Sequence, residues 1–195
     1  MKNKGLLIFI GVVLVVILFI SGCYNGLVSA EESVRSAWAQ VESVYQRRLD
    51  LIPNLVETVK GYAAHEQETL REVVDARARV SQINVTGSDL ADPAKLQNFQ
   101  DAQGGLSSAI SRLLVVVERY PDLKANQNFL ALQSQLEGTE NRISVERMRF
   151  NEAAQKFNIK RRTFPTVFVA NLFGFQEKAY FKADQAASQA PKVSF

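Results

Sequence analysis

The sequence predicts an all-α protein in which an N-terminal membrane anchor segment precedes an antiparallel four-helix bundle. Apolar residues recur at alternating steps of three and four through most of the chain, the period of a helix that buries one face. No segment shows sustained alternation of period two, so no sheet is expected. The predicted organisation is an anchor over residues 1–23, a bundle with an aromatic C-terminal lid over residues 24–182, and a disordered tail over residues 183–195.

The N-terminal segment has the layout of a membrane-targeting sequence. Lys2 and Lys4 precede an apolar run that begins at Leu6 and ends at Ile20. A spanning helix needs roughly 20 apolar residues, so the run is short for a span and suits a cleaved signal. The residues before Cys23 resemble the lipoprotein cleavage box, in which one aliphatic and two small residues precede an acylated cysteine. Two alternatives therefore stay open: acylation of Cys23 after cleavage, and an uncleaved span with Cys23 at its outer edge.

The distribution of charge indicates where the helical body lies. The only charges before Glu31 are the two N-terminal lysines, so the positive-inside rule places the body outside the cytoplasm, in the cell envelope. The formal net charge of +3 includes those lysines, which leaves a nearly neutral body. Such a body gives no electrostatic reason to expect nucleic acid as a partner. The single cysteine excludes an internal disulfide.

Two helices are predicted between residues 27 and 80. Because proline lacks an N–H donor, Pro53 fits a helix only in its first turn, and a turn or sharp kink is expected at residues 50–53. The second helix is expected to run from there to Val80. The apolar stripe of the first helix is formed by Leu27, Ala30, Val34, Ala37, Val41 and Val44, and that of the second by Ile52, Leu55, Val59, Leu70 and Val73.

Two further helices follow the loop at residues 84–92. Asp92 and Pro93 are typical of a helix start, since the carboxylate caps free N–H groups and proline suits the first helical position. Residues 120–122 break this third helix. The fourth is the longest and is predicted from Asn126 to about Ile159, because its three-four spacing persists over that length.

The segment from residue 163 to 181 differs from the helices in its many aromatic residues. A short helix is expected over residues 166–173. One interpretation is a lid folded back over one end of the bundle. The other is an exposed patch that touches membrane or a partner, because apolar clusters of this size usually mark a contact surface.

No arrangement typical of an active site or a metal centre occurs in the sequence. One histidine, His65, and one cysteine cannot form a usual zinc site, and no nucleophile motif or phosphate-binding loop is present. We therefore expect no enzyme activity, no metal and no cofactor.

Polar residues lie close to the apolar stripes in two places. Buried charges must be paired, so Arg47 and Arg48 are possible partners for Glu57 or Glu140. One interpretation is that these residues fix the register of the helices, and the alternative is a binding groove. The cluster is completed by Asn54, Glu137, Asn141 and Arg142.

Several long strings resemble motifs of the LemA family of bacterial envelope proteins. They are AWAQV at 37–41, RRLDLIPNLV at 47–56, YPDLKAN at 120–126 and LEGTENRI at 136–143, together with the pairs at 24–25, 150–151, 164–165 and 174–175. The resemblance implies an anchored four-helix bundle. It supplies no catalytic residues, and it includes both cysteine-bearing and plainly membrane-spanning members.

Two functional hypotheses follow. The first is a non-enzymatic binding or scaffold module, tethered to the bacterial membrane, that binds another membrane protein or associates with itself. The second is a small-ligand-binding or sensory module, in which the polar residues between 137 and 147 line a pocket between helices.

Overall fold

The structure, a computed structural model, describes residues 2–182, and no strand occurs among them. The predicted all-α class is confirmed for this part of the chain, while the tail predicted to be disordered lies outside the described residues. A 3-10 turn at Asp89–Ala91 interrupts the loop before the third helix. The helices are α1 (Lys2–Lys60), α2 (Gln67–Ser81), α3 (Pro93–Val117), α4 (Pro121–Lys124), α5 (Gln127–Arg162) and α6 (Thr166–Leu172).

The turn predicted at residues 50–53 was wrong, since α1 continues through Pro53 to Lys60. Proline removes the N–H that would bond to the carbonyl of Leu49, four residues earlier. Arg77 of α2 supplies the missing donor, because its Nε lies 3.0 Å from that carbonyl oxygen. A side chain from a neighbouring helix thus offsets the defect and keeps α1 unbroken.

The prediction of one helix from Ile52 to Val80 was also wrong. The first part of that stripe belongs to α1, which ends where Gly61 and Ala63 bond to the carbonyls of Glu57 and Val59. The second part forms the separate helix α2. Arg77 can reach Leu49 only because the chain reverses between these helices.

The starts of α3 and α5 are those that the sequence predicts. The Asp92 carboxylate accepts hydrogen bonds from the backbone N–H groups of Ala94 and Lys95 at 2.9 and 3.4 Å. The Asn126 side chain does the same for residues 128 and 129, at 2.9 and 3.1 Å. Each cap satisfies donors that the first turn of a helix leaves free.

The long helices pair in antiparallel fashion. Along α1 and α5, the Trp38 ring lies 5.6 Å from the Phe150 ring, and Arg48, farther along α1, meets the earlier α5 residue Glu140. Glu72 of α2 meets Arg112 of α3, and Glu66, just before α2, meets Arg119, just after α3.

The buried side chains form two hydrophobic clusters at different heights along α1. The anchor-side core, nearer the N-terminus of α1, is centred on Trp38. The far core extends from Leu49 to the opposite end of the molecule and is centred on Leu106. Further members of the anchor-side core are Leu27, Val34, Tyr45, Phe99, Phe150, Phe157 and Phe181, and of the far core Ile52, Leu55, Val59, Val73, Leu113, Val117 and Phe129.

Candidate functional site

A layer of polar side chains lies between the two cores. Arg48 of α1 is its centre, with only 2% of its surface exposed. Gln103 of α3 and Thr139 of α5 are buried beside the same boundary. On α3 and α5 the layer falls between a residue of one core and a residue of the other, so it interrupts what would otherwise be a continuous apolar interior.

Arg48 holds the layer together through contacts with two other helices. Its Nη1 donates to Ser107 Oγ and to Glu140 Oε2, both at 2.9 Å. Its Nη2 donates to the carbonyl and the side-chain oxygen of Gln103. The guanidinium also lies over the Tyr45 ring, 5.1 Å from its centre. Because the Glu140 side chain is 53% exposed, this ion pair links the interior to solvent.

Two buried donors of the layer have no hydrogen-bond partner, namely Arg48 Nε and Gln103 Nε2. A cleft of about 320 Å³ lies between α3 and α5 directly outside Arg48. Ser107, Ser111 and Glu140 give it polar walls, and Leu114 and Leu136 give it apolar ones. Buried polar groups are normally hydrogen-bonded, so the unsatisfied donors mark this as an unusual place in the molecule.

The structure brings together only part of the polar cluster drawn from the sequence. Arg48 and Glu140 meet, whereas Glu57 lies 3.8 Å from Lys60 on its own helix. Glu137 accepts a hydrogen bond from Gln133. The remaining members are exposed outside the layer: Arg47, Asn54, Asn141 and Arg142.

Sequence reasoning missed Gln103 and Ser107 because both are neutral. A signal was present for Gln103, which lies four residues after Phe99 and three before Leu106 on the buried stripe of α3. A glutamine at a stripe position must find a partner in the core, and here it accepts from Arg48.

The C-terminal segment at residues 174–182, here named the strap, is held by three carboxamide side chains. Asn158 bonds to both the N–H and the C=O of Lys178, each at 2.8 Å. In the same way Asn151 pairs with Phe181, and Gln100 pairs with Lys182. The strap also places the Phe181 ring against Trp38, and Lys178 Nζ lies 2.6 Å from Glu31 Oε1.

The N-terminal apolar segment joins the body without a break. Side chains 4–19 of α1, including Leu6, are exposed and apolar apart from Lys4, and the helix is long and apolar enough there to cross a membrane. Ile20 and Cys23 are the first to pack partly against the anchor-side core. The Cys23 sulfur lies 4.0 Å from Thr166 Oγ1 of α6.

Two of the segments that connect helices contain side chains with shifted pKa values. Hydrogen bonds from Lys95 and then Thr86 hold the pKa of the Asp89 carboxyl well below its usual range. The pKa of Tyr120 is raised, chiefly because its phenol donates to the Glu66 carboxylate at 2.9 Å. His65 is exposed between α1 and α2, and within residues 2–182 no three His, Cys, Asp or Glu side chains are grouped so that they could hold a metal ion.

Comparison with known proteins decides the family. The model of the LemA family matches residues 37–195, most of the chain. The chain belongs to the LemA family. Protein LemA of Metamycoplasma hominis is 27% identical over 164 residues, which cover 84% of this chain and 71% of that protein.

Other LemA-type relatives are named as magnetosome proteins. MamQ 2 of Paramagnetospirillum magneticum is 27% identical over 187 residues, covering 88% of this chain and 68% of the relative. MamQ of Magnetospirillum gryphiswaldense is 26% identical with the same coverage.

Some of the strings that carry the resemblance to LemA proteins contribute to the polar layer and the strap. The string at 47–56 contains Arg48 and Pro53, and the string at 136–143 contains Glu140. Asn151, in the pair at 150–151, clamps the strap, which begins in the pair at 174–175. These three strings therefore supply residues that join helices to one another and to the strap.

Proposed function

We propose that this LemA-family chain is a membrane-anchored four-helix module of the bacterial envelope, with its body outside the cytoplasm, that binds or organises membrane proteins and is not an enzyme. The observation that carries the proposal is the continuity of α1. One helix supplies both the exposed apolar segment and the central element of the anchor-side core. The body is therefore continuous with its own anchor through α1.

The charges at the two ends of the apolar segment support the orientation. Lys4 precedes it, and the first charged residues after it are Glu31 and Glu32. Basic residues favour the cytoplasmic side. The relatives named as magnetosome proteins support a role within a larger assembly.

A topology experiment tests the orientation. In a Cys23→Ser background, Ser134→Cys places a single exposed thiol on α5. A membrane-impermeant maleimide should label it in intact cells or, in a Gram-negative host, once the outer membrane is permeabilised. Labelling only after complete lysis would overturn the extracytoplasmic assignment.

Intact-mass analysis of the membrane-extracted protein separates the two forms of anchor. Loss of residues 1–22 with added acyl mass, abolished by Cys23→Ala, would establish lipidation. A retained N-terminus would establish a spanning helix. Recovery of the full-length chain only in the soluble fraction would contradict anchoring of either kind.

A groove beside the anchor is the surface that we assign to a partner helix. It lies between α1 and α5, has a volume of about 770 Å³, and is bordered by Ser29, Ser33 and Ala37. Small side chains allow another helix to approach closely. A photo-crosslinking residue at Ser33 should capture a membrane protein or a second copy, whereas one at Ser134 should not. Equal capture at both positions would remove the groove from the proposal.

A second candidate function rests on the cleft directly outside Arg48. In this alternative, a small carboxylate enters the 320 Å³ cleft and takes the place of Glu140 on Arg48. Titration with acetate or propionate should shift the Arg48 Nε–H resonance saturably. A linear drift that is equal in Arg112, an exposed arginine, would dismiss this candidate.

A further inference from the structure

We propose that α6 and the last turn of α5 form a second membrane contact, which seats the body on the lipid surface beside the anchor. This inference rests on the membrane anchoring proposed above. In this proposal, the exposed aromatic residues of α6 contact the headgroup region of a bilayer that contains anionic lipid.

The position of α6 along α1 is the first argument. A helix of about 20 residues spans the roughly 30 Å of a bilayer core. Counted from Leu6, that length ends beside Tyr24. At this level the Tyr24 ring lies 4.9 Å from Phe173 and 5.7 Å from Phe175. The segment around α6 therefore meets α1 where the anchor would leave the hydrocarbon.

The exposed face of α6 is the second argument. Val169 and Ala170 are buried against the body, while the opposite side projects outward. There Phe164 is 75% exposed, Phe168 67% and Leu172 74%. Phe168 and Leu172 are four positions apart and thus share one face of α6. Phe164 lies just before the helix, and its ring is 5.9 Å from the Phe168 ring, so it extends the same apolar surface. Aromatic residues on such a face suit the membrane interface.

The charge around α6 is the third argument. No acidic residue occurs between Glu152 and Glu177, whereas Lys160, Arg161 and Arg162 form the last turn of α5. Lys160 lies against α1 so closely that a side chain at Gly26 would collide with its ammonium group. Basic side chains at this height attract anionic headgroups, because the surface potential of such a membrane is negative.

Position, apolarity and charge together favour lipid over a protein partner. Any protein that covered Phe168 would have to lie at the level where lipid headgroups surround the anchor. The outward face is also short, since α6 has only seven residues, which suits shallow insertion between headgroups. Arg161 is fixed by its bond to the carbonyl of Phe175, so the last turn of α5 and the strap move with α6.

The test uses the full-length chain in nanodiscs of phosphatidylcholine and phosphatidylglycerol, with Cys23→Ser and one reporter cysteine carrying bimane. Brominated lipids quench bimane only on contact. Quenching at Phe168→Cys should approach that at Phe9→Cys in the anchor and exceed that at Met148→Cys by about fivefold. Met148 is the control because it is exposed on α5 away from α6.

The outcomes separate this inference from the proposal on which it rests. Quenching at Phe9 without quenching at Phe168 would overturn the α6 contact and leave the anchor intact. No quenching at Phe9 would overturn the spanning anchor itself. Lys160→Gln with Arg162→Gln should weaken the Phe168 signal in anionic discs and leave it unchanged in neutral ones. A photo-crosslinker at Phe168 that captured protein instead of lipid in cells would also contradict the inference.

Discussion

The two cores of the molecule are built differently. The anchor-side core is rich in aromatic rings, and Trp38 contacts the rings of Phe99, Phe150 and Phe181. The far core is aliphatic apart from Phe129. Only the anchor-side core is closed by the strap, which joins residues far apart in the sequence. Because these contacts join distant parts of the chain, local unfolding of the anchor-side half should cost more free energy than that of the far half.

The polar layer explains how one fold holds two such halves. Arg48 bonds to α3 and α5, yet these bonds satisfy polar groups and leave little apolar contact between the cores. We expect each core to respond mainly to changes within itself. The following experiments challenge that expectation, beginning with the largest effect.

Phe150→Ala should cause the greatest loss. The ring is fully buried against Trp38 and Phe181, and truncation of a buried phenylalanine costs about 3–5 kcal/mol in the free energy of unfolding. Hydrogen exchange should also show lost protection at the strap. The matched far-core change, Leu113→Ala, should cost about 2–5 kcal/mol and leave strap protection intact. Equal loss at the strap in both variants would contradict the independence of the cores.

Glu140→Ala should come next, at about 3 kcal/mol, because it leaves the Arg48 charge buried without an anion. Arg48→Met should cost less, about 1–2 kcal/mol, because the half-exposed Glu140 can be hydrated and the buried cost is confined to the Gln103 oxygen that loses its donor. Chemical denaturation measures both. The double variant should cost less than the sum of the two single changes. A larger loss for Arg48→Met would contradict this account of the layer.

How much of the fold could be predicted from the sequence depends on how far apart in the sequence the interacting residues lie. Asp92 and Asn126 cap helices through residues two or three positions away, and the sequence predicts both starts. The passage of α1 through Pro53 could not be predicted, because its compensating donor, Arg77, is 28 residues from Leu49.

The candidate site follows the same rule. The sequence offers Arg48 two acidic partners, Glu57 and Glu140. Only the tertiary structure selects the second, since an unbroken α1 carries Glu57 more than two turns beyond Arg48 on the same helix. The carboxamide side chains that hold the strap could not be predicted for a related reason. Asparagine and glutamine are ordinary surface residues until a particular backbone segment lies beside them.

Asn158→Ala should have a smaller and local effect. It removes both bonds to the backbone of Lys178 and leaves buried groups unpaired, at a cost of about 1–3 kcal/mol. Trypsin should then cleave after Lys178 more rapidly, because the strap would open without global unfolding. Asn141→Ala, an exposed change on the same helix, is the control. Unchanged cleavage in the Asn158 variant would mean that the rings alone retain the strap.

Acid should weaken the hydrogen bonds of Asp89 in the loop before α3, beside the anchor-side core. The pKa of Asp89 is held below its ordinary 3.8 by Lys95 and Thr86, so its stabilisation is complete above pH about 4 and is lost as pH falls further. The backbone N–H of Thr86, 2.9 Å from the carboxylate, reports this by NMR. Asp89→Asn should remove the dependence. A Thr86 shift centred near pH 4 in the native protein would contradict the lowered pKa.

Alkali should break the hydrogen bond between Tyr120 and Glu66 beside the far core, and its effect should be smaller still. The Tyr120 phenol donates to Glu66, which raises its pKa above the ordinary 10.0. A raised pKa means that the stabilisation is complete below pH 10 and is lost as pH rises through the folded-state value, where phenolate and carboxylate repel each other. Absorbance of the phenolate measures the titration, with Tyr120→Phe to assign it. Far-core amides should lose protection over this range while strap amides keep theirs, because Tyr120 has no contact with the anchor-side core. Simultaneous loss at both would show that the two cores open as one unit.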